Sequence, residues 1–255
     1  MLECFTKFYV QNEESKRLLA SININNVCVV GDTRFDRVLQ IARDTTPPTG
    51  QTAERIAAIE GFLCKNTEAG EKGNVFVAGS SWQPDEDIFI PYFGKHKDWK
   101  LIIAPHVIGE DHLQQIEQLC NTNGMTVARL SALTGKAQDC GADALIIDCF
   151  GLLSTIYRYG KVAYVGGGFG VGIHNVLEAA VWHMPVIFGP NNKHFREAQD
   201  LLACKGGHEI TNQADFVGIM DKFITDKSYL ESCSVSSAKY VEQTCGATER
   251  ILNDI

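Results

Sequence analysis

The hydrophobic residues of this chain fall into short continuous runs, separated by segments with helical periodicity. Most runs are uninterrupted rather than alternating, which is typical of strands that are covered on both faces of a sheet. The predicted strands are Phe8–Gln11, Val27–Val30, Val75–Ala78, Leu101–Ala104, Thr126–Leu130, Leu145–Asp148, Val162–Gly166, Val186–Gly189 and His208–Ile210. Strands that alternate with helices predict an α/β fold with a doubly wound parallel sheet.

Breaks in this pattern predict the domain organisation. The segment Thr45–Gly50 carries two prolines and interrupts helix and strand alike. Residues 1–44 hold two predicted strands and two predicted helices, 13–20 and 34–42, which are too few for an independent sheet domain. We therefore interpret 1–44 as the remnant of an N-terminal domain whose beginning is missing. The remaining predicted units are a linker with a helix at 45–74, a complete doubly wound domain at 75–227, and closing helices at 228–255.

The amino-acid composition narrows the range of possible functions. The 255 residues are 45% hydrophobic and 21% charged, as in an ordinary globular protein, and carry a net charge of −8. This charge argues against nucleic-acid or anionic-membrane binding, but backbone amides can still hold a small phosphate ligand. The nine cysteines are scattered without a CxxC pair, so we expect reduced core residues of a cytoplasmic protein and no metal knuckle.

The most informative segment is Val162–Glu178, a predicted strand, glycine-rich loop and helix. Five glycines stand within residues 166–172, more than a tight turn requires. Glycines let a ligand approach the backbone closely, and a helix that starts there offers free N–H groups, so the segment predicts a phosphate site. Neither the dinucleotide fingerprint nor the P-loop pattern fits it. A turn that needs glycine for structural reasons alone is the alternative.

The predicted helix has an apolar stripe that begins at Ile173 and should face the core. His174, Asn175 and Glu178 lie off this stripe and are expected in the first two turns. A carboxylate there could accept hydrogen bonds from ribose hydroxyls, and an amide or imidazole could reach a phosphate oxygen. A solvated glutamate at a helix start is the alternative for Glu178.

Two other predicted strands end in polar residues. Ser80 and Ser81 follow the strand at Val75, and Pro105-His106 follows the strand at Leu101. Ligands of open α/β sheets bind at the carboxyl ends of the strands, so these loops should converge on the glycine loop. Helix capping by the serines and a structural role for His106 are the alternatives.

At this point a family resemblance appears. The motifs that carry it are Val165-Gly166-Gly167-Gly168, Gly172-Ile173-His174-Asn175-Val176-Leu177-Glu178-Ala179-Ala180, Pro185–Pro190, Gly79-Ser80-Ser81, Pro105-His106, Asp148 with Gly151, and Gly31–Asp36. Together they resemble the lipid A 3-deoxy-D-manno-octulosonic acid (Kdo) transferases of Gram-negative bacteria, over nearly the whole chain. One departure is the lack of the arginine that many members carry between Pro105 and His106.

The resemblance implies a GT-B glycosyltransferase with two Rossmann-like domains, of which this chain holds the C-terminal, CMP-Kdo-binding one. It implies metal-independent, inverting transfer without a cofactor, in which loop amides at 167–172 and the helix dipole hold the donor phosphate and Glu178 holds the ribose. The implied donor-binding residues are Ser80, Ser81, Pro105, His106, Gly167, Gly168, Phe169, Gly170, Gly172, His174, Asn175 and Glu178. The family's catalytic carboxylate has no counterpart here, so we assign no catalytic residue and expect an inactive fragment.

The implied partners are CMP-Kdo and, through the missing domain, lipid A precursor, with the parent at the cytoplasmic face of the inner membrane. No nucleic-acid partner is expected. A homodimer over the surface that the missing domain would cover is one arrangement that the sequence leaves open. Two other functions stay open as well: a sugar-nucleotide epimerase of GT-B architecture, and a stand-alone, non-catalytic nucleotide-binding module.

Overall fold

A seven-stranded, fully parallel sheet forms the centre of the molecule. The computed structural model describes residues 2–63, 73–134 and 141–255. The strands of the sheet are β3 (Val75–Ser81), β4 (Lys100–Pro105), β5 (Val127–Arg129), β6 (Ala144–Ile146), β7 (Val162–Val165), β8 (Val186–Phe188) and β9 (Gly207–Glu209). Their spatial order is β5-β6-β4-β3-β7-β8-β9, so that β3 lies between β4 and β7. The predicted α/β fold with a parallel sheet is confirmed.

Helices connect these strands and cover both faces of the sheet. They are α1 (Glu13–Ala20), α2 (Thr33–Arg43), α3 (Gly50–Leu63), α4 (Gln83–Phe93), α5 (Glu110–Thr122), α6 (Leu130–Leu133), α7 (Leu153–Ile156), α8 (Leu177–Ala180), α9 (Arg196–Ala203), α10 (Gln213–Thr225), α11 (Lys227–Thr244) and α12 (Ala247–Leu252). Short 3₁₀ helices stand at Leu2–Cys4 and Tyr157–Tyr159. The helices predicted at 13–20, at 34–42 and in the closing segment are therefore present.

Alternate residues of the central strand supply two separate hydrophobic cores. Val75 and Val77 of β3 face the core formed with α3, α7 and α8, whereas Phe76 and Ala78 face the core formed with α4, α5 and α10. In the second core the Phe76 ring lies 5.7 Å from the Phe216 ring, edge to face. This period of two places apolar side chains on both faces, which explains why the strand sequences are continuous hydrophobic runs.

The N-terminal segment forms a separate parallel pair, β1 (Phe8–Val10) with β2 (Val27–Val29). The end of the chain holds this segment in place. The Asp36 carboxylate accepts hydrogen bonds from the Gly246 amide at 2.5 Å and from the Thr248 amide at 2.8 Å, and so caps α12. Tyr9 donates to Asp254 at 2.9 Å, and Lys7 pairs with the same carboxylate.

The structure tests the predicted surroundings of the cysteines but not the predicted domain boundaries. Among the seven cysteines that the structure describes, all are free thiols, but only Cys120 and Cys233 are buried. The prediction of core cysteines is therefore wrong for Cys4, which is exposed, and for Cys28, because the short run Val27–Val29 belongs to a pair of strands whose residues stay partly exposed. Cys149, Cys204 and Cys245 are half-buried and pack against the core. Cys64, Cys140 and most of the 66–74 part of the predicted linker lie outside the described residues. The division into four units at 44, 74 and 227 stays a prediction.

In the described ranges, 2–63, 73–134 and 141–255, no helix has the length and apolar character that crossing a membrane requires.

Replacement of Asp36 by alanine should lower the free energy of unfolding by about 1–2 kcal/mol, because the α12 amides lose their cap. Burial raises the pKa of Asp36, but hydrogen bonds from Gly246 and Thr248 outweigh it and leave that pKa below its ordinary value of 3.8. The stabilisation is therefore present above pH 3.8 and is lost as the pH falls through the depressed pKa. Urea unfolding between pH 7 and pH 3 measures this loss of stabilisation in the unaltered chain and in the variant.

The matched control is Asp87→Ala, which removes an exposed carboxylate on α4 that has no hydrogen-bond partner among the described residues. It should change stability little at any pH. Equal losses in the two variants would contradict the capping role of Asp36.

Candidate nucleotide-binding site

The loops that follow β3, β4 and β7 meet at the carboxyl edge of the sheet. The His106 amide donates to the Ser81 carbonyl at 2.9 Å, and the Gly166 amide donates to the Gly79 carbonyl at 2.9 Å. The rings of His106 and His174 stack with their centroids 4.4 Å apart. The predicted convergence of these strand ends on the glycine loop is confirmed.

Three stacked aromatic rings lie at this carboxyl edge of the sheet. Trp82, which is 39% exposed, stacks on His106 with centroids 4.7 Å apart, and its indole N–H donates to Nε2 of His174 at 3.4 Å. Burial, together with the neighbouring His106, lowers the pKa of His174 below its ordinary value. His174 is therefore neutral at pH 7 and carries its proton on Nδ1. It can offer an anion one N–H group but no charge.

The carboxylate of Asp85 joins the loops that follow β3 and β7, although sequence reasoning gave it no role. Its side chain is 1% exposed. It accepts hydrogen bonds from the Tyr164 hydroxyl at 2.7 Å, from the Trp82 amide at 2.9 Å and from the Gly167 amide at 3.1 Å. Burial raises the pKa of Asp85 despite these donors. In the sequence Asp85 looks like an ordinary capping residue, because it lies near the start of a helix. Only its burial in the structure indicates a wider role.

A second buried carboxylate, Glu86, holds the β4 loop. It is also 1% exposed, and burial raises its pKa. The Ser81 hydroxyl donates to it at 2.8 Å, and Nε2 of His112 lies 2.9 Å from its other oxygen. Nδ1 of His112 in turn lies 2.9 Å from the Val107 carbonyl, next to His106.

The two predicted serines consequently differ. Ser81 is fully buried and its hydroxyl is engaged by Glu86. Ser80 is half-buried, has a left-handed backbone at φ 52°, and its hydroxyl makes no hydrogen bond with a described residue. The alternative that these serines cap a helix is wrong, because α4 has Trp82 at its N-cap position. Ser80 is thus the serine that a ligand can reach.

The glycine loop owes its shape to two of its residues. Gly167 has φ +91°, a conformation that side chains disfavour. Gly168 packs directly on the β8 loop, where a Cβ atom would stand 2.6 Å from the Gly189 Cα. These constraints keep the loop flat against the end of the sheet.

The loop amides are only partly available to a ligand. Within 167–172, the amide of Gly167 is bound by Asp85, and those of Gly170 and Gly172 donate to the Gly167 carbonyl. The amides without a hydrogen bond to a described residue are those of Gly168, Phe169, Val171, Asn175, Val176 and Glu178. Free donors therefore extend beyond the glycines into the following turn.

The predicted start of the following helix is wrong. Helix α8 begins at Leu177 and has a single turn, so His174 and Asn175 precede it. The His174 amide donates to the Gly166 carbonyl, and the Asn175 side chain accepts from the Leu177 amide at 3.1 Å. The second bond competes with the helical bond that the Leu177 amide would otherwise make, and it delays the helix. A single turn also has a weaker dipole than the sequence suggested.

Glu178 lies in the first turn of α8, half-buried. One carboxylate oxygen accepts from the Ser154 hydroxyl at 2.9 Å, and the other accepts from the Asn175 side-chain NH₂ group at 3.1 Å. Each oxygen keeps a lone pair for a further donor, such as a ribose hydroxyl. The remaining predicted site residues also lie at this edge: Pro105 ends β4 and is buried, and Phe169 packs on the core that contains Phe76.

No cluster of three metal-ligating side chains occurs in the parts of the chain that the structure describes.

Several known proteins resemble this chain in sequence or in fold. No family model matches the chain. A bifunctional glycosyltransferase/methyltransferase of Fusobacterium nucleatum is 27% identical over 89% of the chain and 34% of its own length. The 3-deoxy-D-manno-octulosonic acid transferase of Aquifex aeolicus is 29% identical over 67% of the chain and 48% of its own length. The solved C-terminal CMP-Kdo binding domain of WaaA from Acinetobacter baumannii superposes with a TM-score of 0.60 at 20% identity, covering 75% of the chain and 98% of that domain.

The chain therefore has the fold of a GT-B glycosyltransferase C-terminal domain. The sequence resemblance to Kdo transferases is likewise confirmed by several such relatives from different bacteria. The chain spans about half of the length of the Kdo transferases that it matches, and a third of the Fusobacterium protein. The roles of the individual site residues stay predictions.

Replacement of Gly168 by alanine should lower the free energy of unfolding by about 1–3 kcal/mol, because the new methyl group meets backbone that cannot move away easily. Gly170→Ala is the matched control, since a Cβ atom there would stand 3.5 Å from the Gly167 carbonyl, at ordinary contact distance. Denaturant unfolding compares the two. Equal stability of both variants would contradict the close approach of the glycine loop to the β8 loop.

Proposed function

We propose that this chain binds CMP-Kdo for a glycosyltransferase that transfers Kdo to lipid A precursor in lipopolysaccharide biosynthesis. The observation that carries the proposal is the convergence of free amides, Ser80 and Glu178 at the carboxyl edge of a sheet with this fold. The names of the matched relatives supply the donor and the sugar. Such an edge is where open α/β sheets bind their ligands.

In this proposal the amides of Gly168, Phe169 and the turn at 175–178 receive the single phosphate of CMP. They are fixed before the ligand arrives, so they stabilise the charge that grows on the phosphate as CMP leaves. Ser80 and the Nδ1–H of His174 add neutral donors, and His106 lies next to them. In this proposal backbone amides and neutral side chains hold the anion.

Glu178 receives the ribose in the same proposal. A carboxylate accepts from two adjacent hydroxyls without competing for the phosphate. The bonds from Ser154 and Asn175 hold its two oxygens in place before binding. The ring stack of Trp82, His106 and His174 lies beside the phosphate donors, where it can shape the space left for the sugar.

The reaction itself would need a catalytic base and the lipid acceptor, which the resemblance assigns to an N-terminal domain of the parent. We infer that this chain alone has no transferase activity and that the reaction needs no metal ion or cofactor. The parent would act at the cytoplasmic face of the inner membrane. Attack of a lipid hydroxyl on the anomeric carbon forms the new glycosidic bond, the bond to CMP breaks, and the hydroxyl proton passes to the base.

Calorimetric titration should show binding of CMP by the purified chain and no binding of UDP at the same concentrations. A monophosphate has one anionic group for the free amides to receive, and the diphosphate would have to fit a second one against the buried Asp85. Binding of UDP in the absence of CMP binding would overturn the proposed donor.

Substitution of Glu178 by alanine should weaken CMP binding by about 10- to 100-fold, as expected for the loss of hydrogen bonds to a charged group. The control is Ser154→Ala, which removes an internal partner of Glu178 but no proposed ligand contact. Thermal unfolding of both variants checks that the fold is intact. If the two variants lose CMP affinity equally, Glu178 acts by fixing the position of the α7 segment and not by binding ribose.

A further inference from the structure

A second cavity lies at the opposite edge of the sheet from the glycine loop. Its volume is about 620 Å³. Its walls come from α2, the proline-containing loop after it, α3 and the 3₁₀ helix Tyr157–Tyr159. Arg158 in that 3₁₀ helix precedes the amino end of β7, whereas the glycine loop follows its carboxyl end. We call this cavity the arginine groove.

The charge of the arginine groove is opposite to that of the whole chain. Three arginines line it, Arg37, Arg43 and Arg158, against one carboxylate, Asp44. The chain as a whole carries a net charge of −8. Asp44 is already engaged, since it accepts from the Thr46 amide at 2.9 Å. The groove therefore concentrates positive charge on a protein that otherwise repels anions.

These guanidinium groups have few partners inside the protein. Arg43 is exposed and makes no hydrogen bond or ion pair with a residue that the structure describes. Among the residues that the structure describes, Arg37 reaches only the Gln40 side chain, at 3.3 Å. Arg158 donates to the Tyr159 hydroxyl at 2.7 Å and lies 3.5 Å from Glu60. Most of their N–H donors consequently stay available to a ligand.

The inner wall of the groove is apolar and held in place. Ile56 is buried, Ile41 is half-buried, and the Trp182 indole N–H donates to the Ser154 carbonyl at 2.8 Å. Threonine hydroxyls of Thr46, Thr52 and Thr155 stand among the arginines. An apolar wall below a rim of guanidinium and hydroxyl donors suits a phosphate group that is attached to an apolar body.

We propose that the arginine groove binds a phosphate group, separately from the nucleotide site. Arg37, Arg43 and Arg158 receive the phosphate oxygens, and the wall formed by Ile41, Ile56 and Trp182 receives the body that carries the phosphate. A soluble phosphate compound and a phospholipid headgroup share this chemistry. The site does not depend on the proposed function, because none of its residues lies at the glycine loop.

The test uses the whole chain and the double variant Arg37→Gln/Arg43→Gln, in which both replaced residues are exposed. The control, Lys95→Gln/Lys227→Gln, removes the same charge from exposed positions away from the groove. Inorganic pyrophosphate is titrated by calorimetry, and vesicles of phosphatidylcholine with or without phosphatidic acid are tested by co-sedimentation. CMP titration and thermal unfolding confirm that every variant keeps its nucleotide site and its fold.

The expected result is that the arginine variant binds one of these probes about tenfold more weakly than the control variant, as the loss of charged hydrogen bonds predicts. Loss confined to pyrophosphate identifies a soluble phosphate ligand, and loss confined to phosphatidic acid vesicles identifies a lipid headgroup. Absence of binding to both probes, or equal binding by both variants, overturns the proposal. CMP binding reports on the proposed function independently.

Discussion

The buried carboxylate of Asp85 is the constraint on which the candidate site depends. It connects the end of β3, the hydroxyl of Tyr164 on β7 and the amide of Gly167. If it were lost, three donors would remain without an acceptor in a space that water does not reach easily, and each would cost free energy. The position of His174 follows from the same bonds, because its amide donates to Gly166, the neighbour of Gly167. The groups that we propose to contact the ligand are thus positioned by a buried residue that is not itself a proposed contact.

The fold could be predicted from the sequence because its strands are unambiguous. Each continuous apolar run, such as Val186–Gly189, is bounded by glycine or polar residues and too short for a buried helix. The observed strand, Val186–Phe188, differs by one residue. Parallel pairing and the position of the ligand edge then follow from the alternation with helices. The order of the strands could not be obtained this way, since nothing local shows that β3 pairs with both β4 and β7.

The site could be predicted in outline but not in its connections. The glycine loop and Glu178 were found from local pattern, whereas Asp85 was missed because its partner Tyr164 is 79 residues away. The start of α8 was misplaced for a related reason. The apolar spacing from Ile173 onward fits a helix equally well, and it does not show that the Asn175 side chain accepts from the Leu177 amide in place of a helical carbonyl. Patterns of spacing report on periodicity, not on competing partners.

The cap that Asp36 provides for α12 has a consequence for synthesis of the chain. The two partners, Asp36 and Gly246, are 210 residues apart. At about 5–20 residues per second, the ribosome needs on the order of 10–40 seconds between them. The contacts through which the end of the chain holds the β1–β2 segment can therefore form only when synthesis of the chain is almost complete.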